Sequence, residues 1–399
     1  MRLPILVFLL LILLAGNCTP AKPEETLRAI SVSFESYGTF IFVPVQINGS
    51  SPLSFLFDTG VNRTFINPSR TKQLHLGHSK EVHAGSLKLT FTKGKKPTLQ
   101  IGSAHLEAVE SLSPFFSFEE LESALGREVD GIFGSDLLQR YVVEIDYASH
   151  TLKLYDPQTY QYTGQEQSIP LQIKNHLSFI QGEIFPNDGE PVTGIFQLDT
   201  GSDGAIDLFH TFVQRHQPLK SASPTLPTQT WTATAGKADE DSIGRLKAFR
   251  VGRFTLDKPL VKFLTTNKGI YGRSEYAGLL GGEILERFRV IIDYTHKWMI
   301  LEPNARFTEP FEWDMTGMHL VADADSSSYI VLEVRPQSAA AEAGVQKGDH
   351  VTAIDGQAVT KLDPTELDRM FKQEGREVRL QIKRDREILE IKLKLRRLI

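Results

Sequence analysis

Two aspartates occur in the same short context at widely separated places in the chain. Asp58 and Asp199 each begin an Asp-Thr-Gly triplet, and the triplets stand 141 residues apart. If the fold holds the two carboxyl groups a few ångströms apart, they cannot both ionise cheaply, so the pair would share one proton. One member could then withdraw a proton from water while the other donates a hydrogen bond. The two triplets therefore predict acid–base activation of water by a pair whose pKa values belong to both residues together.

The triplets lie in an internal repeat, which tells more than either triplet alone. Residues 30–155 and 169–302 present the same landmarks in the same order. In each copy a strand-like apolar run ends at the triplet, and an Ile-Phe-Gly or Leu-Leu-Gly element follows later, ending at Gly134 or Gly281. The elements that must position the two carboxyl groups are therefore expected to be equivalent strands in two similar units.

Short runs that alternate apolar and polar residues dominate both copies, which is a strand pattern. Only SDLLQRY (135–141) and GEILERF (282–288) are predicted as short helices. We therefore expect two similar β lobes at 30–155 and 169–305, joined by a polar linker at 156–168. Each lobe is long enough to bury a core of its own.

Together these landmarks resemble an aspartic protease, and both lobes carry the resemblance. The pattern is most similar to the retropepsin-like group found in bacteria. The resemblance implies a mainly β, bilobal pepsin/retropepsin-like fold and an endopeptidase that acts on a peptide or protein substrate. It also implies that Asp58 and Asp199 are the catalytic pair and that no cofactor is needed, because water is the nucleophile. Since one chain supplies both aspartates, we expect a monomer.

The resemblance also assigns supporting roles beside the pair. The hydroxyls of Thr59 and Thr200 are expected to bond across the two loops, and Gly60 and Gly201 to let the backbone pass close to the carboxyl groups. After the triplets the lobes differ, because lobe 2 has Ser202, which could bond its aspartate. Lobe 1 has a valine there, at position 61, which cannot form that bond.

One hairpin per lobe is expected to close over substrate. The candidates are 83–101, turning at Lys93-Gly94, and 231–249, with acidic residues at its tip. Asp146 and Asp293 also recur, each before a tyrosine, but each follows a strand and precedes a tight return, so we interpret them as hairpin residues.

Residues 313–399 change in character and resemble a PDZ domain of the kind attached to bacterial proteases, an α+β fold. The residues that carry the resemblance are Ser338-Ala339, Ala343-Gly344, Lys347-Gly348-Asp349 and Ile354-Asp355-Gly356. Such domains capture an extended chain end as an added strand. The resemblance places this contact at the loop 326–331, with Tyr329, Ile330 and Val331 as candidates. Substrate capture and an intramolecular regulatory role both stay open, and the lobes alone are expected to complete the cleft.

The N-terminus predicts export. Residues 1–18 have a basic start and an apolar run too short to span a membrane comfortably, which indicates a signal peptide. The ending LLAGNC resembles a lipoprotein signal, so Cys18 could be lipidated and hold the protein at a membrane. Cleavage near Ala21 with release, or an uncleaved anchor, are the alternatives. Residues 19–29 would be a tether, and the expected location is the bacterial cell envelope, either periplasmic or lipid-anchored.

Composition excludes several other classes. There are 44 basic and 49 acidic residues, a net charge of -5, which gives no reason to expect nucleic-acid binding. A single cysteine excludes an intramolecular disulfide and a multi-thiolate metal site. His75, His78 and His83 lie close in sequence, but no metal site is predicted there. The alternative from another class is a non-catalytic peptide-binding or scaffold protein built on a protease fold.

Overall fold

The computed structural model describes residues 29–70, 73–74, 76, 78–84, 87–93, 97–107, 117–232, 236–273, 275–323 and 327–399. Residues 1–28, which include the predicted signal peptide and Cys18, lie outside this set, and so does His75. None of the helices in the described part of the chain is long and apolar enough to cross a membrane.

The first lobe is built on a sheet in which the central strand β4 leads into the first triplet. Its strand order is β5-β10-β4-β3-β8-β9, with β2 paired to β3. The elements of this lobe are β1 (Ile30–Ser33), β2 (Glu35–Tyr37), β3 (Phe40–Ile47), β4 (Leu53–Phe57), β5 (Phe65–Ile66), β6 (His78–Ala84), β7 (Leu87–Lys93), β8 (Thr98–Ile101), β9 (Ala104–Glu107), α1 (Phe118–Leu125), β10 (Gly131–Phe133), β11 (Val142–Asp146) and β12 (Thr151–Tyr155).

The second lobe repeats this plan with a larger sheet. Its strand order is β18-β19-β22-β17-β23-β16-β15-β20-β21, with β14 paired to β15. The elements are β13 (Ile169–Pro170), β14 (Gln172–Lys174), β15 (Leu177–Phe185), β16 (Val192–Leu198), β17 (Ile206–Leu208), α2 (His210–His216), β18 (Thr225–Thr232), β19 (Gly236–Arg245), β20 (Ala248–Val251), β21 (Phe254–Asp257), β22 (Leu260–Phe263), β23 (Gly278–Leu280), α3 (Gly282–Leu285), β24 (Phe288–Asp293) and β25 (Trp298–Pro303).

A third sheet joins the two lobes. Its order is β1-β12-β11-β24-β25-β13, and the central pair β11 and β24 comes from different lobes. The register places Val143 opposite Ile292 and Asp146 opposite Arg289. Side chains of both lobes, such as Ile145 and Ile292, are buried in one continuous apolar core. The lobes are therefore fused by backbone hydrogen bonds as well as by the linker.

The C-terminal module is a separate sheet with two helices. Its strand order is β26-β27-β28-β30-β31, with β29 paired to β28, and it has its own apolar core. Its elements are β26 (Met318–Ala322), β27 (Tyr329–Val334), α4 (Ala339–Ala343), β28 (His350–Ile354), β29 (Gln357–Ala358), α5 (Pro364–Phe371), β30 (Glu377–Arg384) and β31 (Glu387–Lys394). In the part of the chain that the structure describes, short 3₁₀ helices lie at Pro68–Arg70, Pro218–Lys220, Gly269–Gly272, Ala305–Thr308 and Val359–Lys361.

Helix α5 begins where the sequence provides a start signal. The Asp363 carboxylate accepts hydrogen bonds from the amides of Thr365 and Glu366, and Pro364 occupies the first helical turn. These features satisfy free amides at the helix start and preset the backbone. This helix and the residue after it contact both lobes.

Three sequence-based expectations need correction. SDLLQRY forms turns rather than a helix, whereas its counterpart does form α3. The lobe 1 hairpin pairs β6 with β7, so it turns between Ala84 and Leu87, and Lys93 is paired with His78 at its base. In lobe 2 the hairpin is β18–β19, turning between Thr232 and Gly236. Its acidic segment lies along β19 instead of at the tip, because strand register, rather than the distribution of charge, fixes the turn.

Candidate active site

The two triplets stand at the ends of equivalent strands. β4 runs directly into Asp58 and β16 directly into Asp199, and each strand has a parallel neighbour, β10 or β23. The Asp58 amide donates to the carbonyl of Phe133 at 2.9 Å, and the Asp199 amide donates to the carbonyl of Leu280 at 3.0 Å. The apolar pair before each later glycine therefore forms the strand that fixes the position of the aspartate.

The threonines lock the two loops together. The Thr59 amide donates to the Thr200 hydroxyl at 3.0 Å, and the Thr200 amide donates to the Thr59 hydroxyl at 3.1 Å. Each hydroxyl then donates into the opposite lobe, Thr59 to the carbonyl of Leu198 at 3.0 Å and Thr200 to that of Phe57 at 2.7 Å. Both threonines are buried. All four bonds cross the pseudo-two-fold axis, so each loop orients the other.

The carboxyl groups of Asp58 and Asp199 lie next to each other, beside the bonded threonines. They hydrogen-bond to each other, while the Gly60 amide donates to Asp58 Oδ1 at 2.7 Å and the Gly201 amide donates to Asp199 Oδ1 at 2.9 Å. A Cβ placed on Gly60 would lie 2.4 Å from Asp199 Oδ1, and one on Gly201 would lie 2.4 Å from the Asp58 carboxyl carbon. No side chain fits at either glycine without displacing the opposite carboxylate.

Burial raises the pKa of both aspartates, but the two are raised unequally. The pKa of Asp199 lies well above its ordinary value because burial, the charge of Asp58 and the nearby Asp207 all disfavour its ionised form. The pKa of Asp58 is raised by burial and held back by hydrogen bonds from the amides of Gly60 and Val61. The surroundings of Asp199 therefore disfavour its ionised form more than those of Asp58 do, and the pair shares one proton.

Two buried polar residues of lobe 2 adjoin the pair and were not singled out from the sequence. Asp207 is buried on β17, and its Oδ1 has no hydrogen-bond partner. Gln197 is buried on β16, and its amide nitrogen donates to the carbonyl of Gly60 in lobe 1 at 3.0 Å. The sequence signal that could have identified both residues was a polar side chain at a position where the strand pattern expects an apolar one.

The expected role of Ser202 needs correction. Its hydroxyl donates to Asp207 Oδ2 at 3.3 Å rather than to the side chain of Asp199, and its amide donates to the Asp199 carbonyl at 3.3 Å. Asp207 is the preferred acceptor because it lies below the loop. The Ser202 side chain therefore acts on the pair through Asp207.

The PDZ candidates also need correction. Tyr329 and Ile330 lie on β27, where Ala322 and Val321 of β26 pair with them on one side and Val351 and His350 of β28 on the other. Val331 is fully buried. Both edges of β27 are occupied, so no chain can be added there. In the described part of the module the main sheet ends at β26 on one side and at β31 on the other, and β26 follows Met315, whose amide donates to the carbonyl of Phe371 at the end of α5.

Ser328, His350 and Asp323 meet in the module, but Ser328 Oγ and Asp323 Oδ2 both contact His350 Nδ1, at 3.0 and 3.3 Å. A serine nucleophile and its carboxylate need opposite ring nitrogens of the histidine, so this is not a catalytic triad. In the described residues, no group of histidines and carboxylates could hold a metal ion.

The recurring Asp146 and Asp293 lie in hairpin turns, as interpreted from the sequence. Asp146 Oδ1 accepts the amides of Ala148 and Ser149, and Asp293 Oδ1 accepts the amide of His296. Despite partial burial, hydrogen bonds from the Ser149 hydroxyl and both amides hold the pKa of Asp146 below its ordinary value. Neither residue belongs to the pair.

Two strand-borne Asp-Thr-Gly loops that face each other define the class as aspartic protease-like. Residues 43–137 match a family model described as aspartyl protease, and residues 316–395 match one described as PDZ domain. The chain therefore contains an aspartyl protease domain followed by a PDZ domain. The expected mainly β fold, bilobal and pepsin/retropepsin-like with a C-terminal PDZ domain, is confirmed.

The individual proteins that resemble this chain are only distantly similar to it. DNA damage-inducible protein 1 from Cryptococcus neoformans var. neoformans serotype D, in two strains, is 27% identical over 135 residues. That match spans 33% of this chain and 29% of the relatives, less than a third of their length. The aspartic proteinase from Irpex lacteus is a similar solved structure, with a TM-score of 0.42 and 17% identity over 70% of this chain and 99% of that chain.

Proposed function

We propose that this protein is an aspartic endopeptidase that hydrolyses peptide bonds with water held between Asp58 and Asp199. The observation that carries the proposal is the carboxyl pair, which shares a hydrogen bond above the interlocked threonines. A peptide-binding scaffold would need the cleft but would not need two carboxyl groups held against each other at a cost in ionisation free energy.

The unequal environments assign the first step. Asp58, as the ionised member, accepts a proton from the attacking water, and the protonated Asp199 donates a hydrogen bond to the carbonyl oxygen as charge develops there. Asp58 then returns its proton to the leaving amine. The donors of Gly60, Gly201 and Gln197 hold both loops in place, so little rearrangement is needed during the reaction.

One chain supplies both halves of the site, and the interlobe sheet joins them through β11 and β24. We therefore propose a monomeric enzyme, whose specific activity would be independent of dilution. A second-order loss of activity at low concentration would instead mean that lobes from different chains pair.

The PDZ module is proposed to capture an extended chain end. The contact would be along β26, opposite α5, because this edge can accept another strand. We also propose that residues 1–18 act as an export signal and that the protein is located in the cell envelope, with Cys18 as the lipidated residue if the protein is membrane-anchored.

The deciding experiment is incubation with an unfolded protein substrate from about pH 3 to about pH 8, with and without a statine inhibitor that imitates the tetrahedral intermediate. Inhibitor-sensitive cleavage at internal bonds is expected. The matched control is Asp58→Asn prepared in parallel, which removes one carboxyl group without changing its size. Cleavage that survives both treatments would come from a contaminant, and no cleavage at any pH would favour the non-catalytic scaffold.

A further inference from the structure

Helix α5 of the PDZ module is docked on lobe 1. The amide of Gly38, in the turn between β2 and β3, donates to the Thr365 hydroxyl at 3.1 Å, and that hydroxyl donates to the carbonyl of Ser36 at 3.4 Å. A single side chain of the module thus satisfies both a donor and an acceptor of the turn. This geometry holds α5 against the protease body.

The residue that follows α5 reaches lobe 2. Lys372 Nζ lies 3.2 Å from Glu283 Oε1 and 3.0 Å from Asp368 Oδ2. Glu283 belongs to α3, and its amide donates to the carbonyl of Gly204, five residues after Asp199. A further contact joins the module to the lobe 2 hairpin, where Arg335 donates to the carbonyl of Pro227 at 2.7 Å. The module therefore touches both lobes close to the loop that carries Asp199.

A pocket of about 290 Å³ lies where these three parts meet. Thr39, which lines it, donates from its hydroxyl to the carbonyl of Asp203 at 3.3 Å, so the pocket is continuous with the loop after Asp199. The sequence predicted a cleft completed by residues 30–305 alone. The structure instead gives this pocket a wall from the module, and residues from all three parts line it, among them Phe40, Ile206, Leu260, Trp313, Asp368 and Lys372.

The chemistry of the lining selects an apolar occupant. The charged groups already have protein partners, since Lys262 pairs with Asp203 at 2.9 Å and Lys372 pairs with two carboxylates. The remaining surface comes largely from apolar side chains. An engineered cavity of about 150 Å³ is known to hold benzene, so this volume accommodates a leucine or an aromatic ring. An apolar group would enter without leaving a charged group unpaired.

The pocket is within reach of a substrate bound at the carboxyl pair. Four Cα–Cα steps of 3.8 Å separate Asp199 from Asp203, so their Cα atoms are at most about 15 Å apart. An extended peptide advances about 3.3 Å per residue, so a side chain roughly three to five residues from the scissile bond can enter.

We infer that the PDZ module forms part of the substrate cleft, and that Thr365 and Lys372 position α5 as the wall of a pocket for a large apolar side chain of the substrate. The inference rests on the proposed endopeptidase function. Specificity away from the scissile bond would thereby depend on a domain that contributes nothing to the carboxyl pair.

The test uses the full chain and a set of peptides that share one scissile bond. Phenylalanine replaces alanine in turn at each of the five positions on either side of that bond. For the wild type, kcat/KM is expected to rise about tenfold for phenylalanine at one position three to five residues away, since a filled apolar pocket discriminates by at least that factor. In Thr365→Val and Lys372→Met the preference at that position should fall to about twofold, with other positions unchanged.

Matched controls are Thr352→Val, at a half-buried position of β28 whose hydroxyl bonds Gln381 of the same module, and Lys383→Met, at an exposed position of β30. They should keep the full preference. An active wild type without a distant preference would overturn the inference, and so would variants that slow every peptide equally. Variants that speed every peptide would mean that α5 blocks the cleft instead of lining it.

A binding experiment distinguishes failure of this inference from failure of the proposed function. If the wild type cleaves no peptide, the endopeptidase proposal fails, but the pocket can still be measured by fluorescence anisotropy of labelled peptides on Asp199→Asn. The phenylalanine peptide should bind about tenfold more tightly than the alanine peptide, and adding Thr365→Val should remove the difference. Equal binding of the two peptides to Asp199→Asn would overturn the inference by itself.

Discussion

The two lobes carry the same triplet on the same strand arrangement, yet the surroundings of the two aspartates differ. In lobe 1, β10 lies between β4 and β5, and β23 lies likewise between β16 and β17 in lobe 2. By this register Leu56 and Phe65 of lobe 1 occupy the places that Gln197 and Asp207 occupy in lobe 2. One aspartate therefore lies above an apolar layer and the other above a buried polar one.

This difference shows how a duplicated motif can perform two roles. Identical carboxyl groups related by a two-fold axis have no reason to prefer one proton position. The buried charge of Asp207 disfavours ionisation of Asp199, and the amides of Gly60 and Val61 favour ionisation of Asp58. The symmetric lock of the threonines sets the geometry, while the asymmetric layer below sets which carboxyl group holds the proton.

The largest expected effect tests whether both lobes are required. Asp58→Asn and Asp199→Asn should each lower kcat/KM by about 10⁴-fold or more. The two carboxyl groups act as one catalytic unit, so removing either one removes the function of both. Circular dichroism should show that both variants keep the fold, and Asp188→Asn in an exposed loop is the control. Retention of near-wild-type turnover by either variant would rule out the carboxyl pair as the site.

The second prediction tests the symmetry of the lock. Thr59→Val and Thr200→Val should each lower the free energy of unfolding by about 2–4 kcal/mol, because each leaves a buried amide and a buried carbonyl without partners. Urea denaturation measures this, with Thr193→Val on the exposed face of β16 as the control. A much larger loss of unfolding free energy for one threonine variant than for the other would mean that one lobe alone holds the loops.

The third prediction tests the asymmetric layer. Asp207→Asn keeps an acceptor for Ser202 and removes a negative charge near Asp199, so the alkaline limb of the kcat/KM profile should move to lower pH. Burial raises the pKa of Asp207, so the wild type loses stability as the pH rises above the ordinary aspartate range and through the raised pKa, and the variant should lose less. Asp257→Asn is the exposed control. An unchanged pH profile would show that Asp207 does not affect the ionisation of the carboxyl pair.

The smallest effect is expected from Val61→Ser, which gives lobe 1 the residue of lobe 2. The Ser202 hydroxyl bonds Asp207, and Phe65 holds that place in lobe 1, so a serine at position 61 finds no buried carboxylate there. Peptide kcat/KM should therefore stay within about threefold of the wild type. A tenfold gain would show that the missing hydroxyl limits the pair directly.

Much of the fold could be predicted from the sequence because the patterns that indicate strands, turns and helix starts are local. Alternating runs predict strands, and the repeated Asp-Thr-Gly and apolar-apolar-Gly elements mark equivalent strand ends in both lobes. The PDZ residues around Ser338 and Asp355 likewise occupy a helix start and a turn within the module. Where a local pattern was ambiguous, as in SDLLQRY, the helix prediction was wrong.

The tertiary structure alone decided the features that depend on contacts between distant segments. No periodicity reveals that β11 pairs with β24, or that β26 is an edge strand of the module while β27 is not. The sequence determined which residues could form a carboxyl pair, because the triplet combines a short acid, a hydroxyl and a glycine in one turn. Burial of Asp207 beside that pair, and docking of α5 beside its loop, were decided by long-range packing, since strand register and domain contacts bring together residues that lie far apart in the chain.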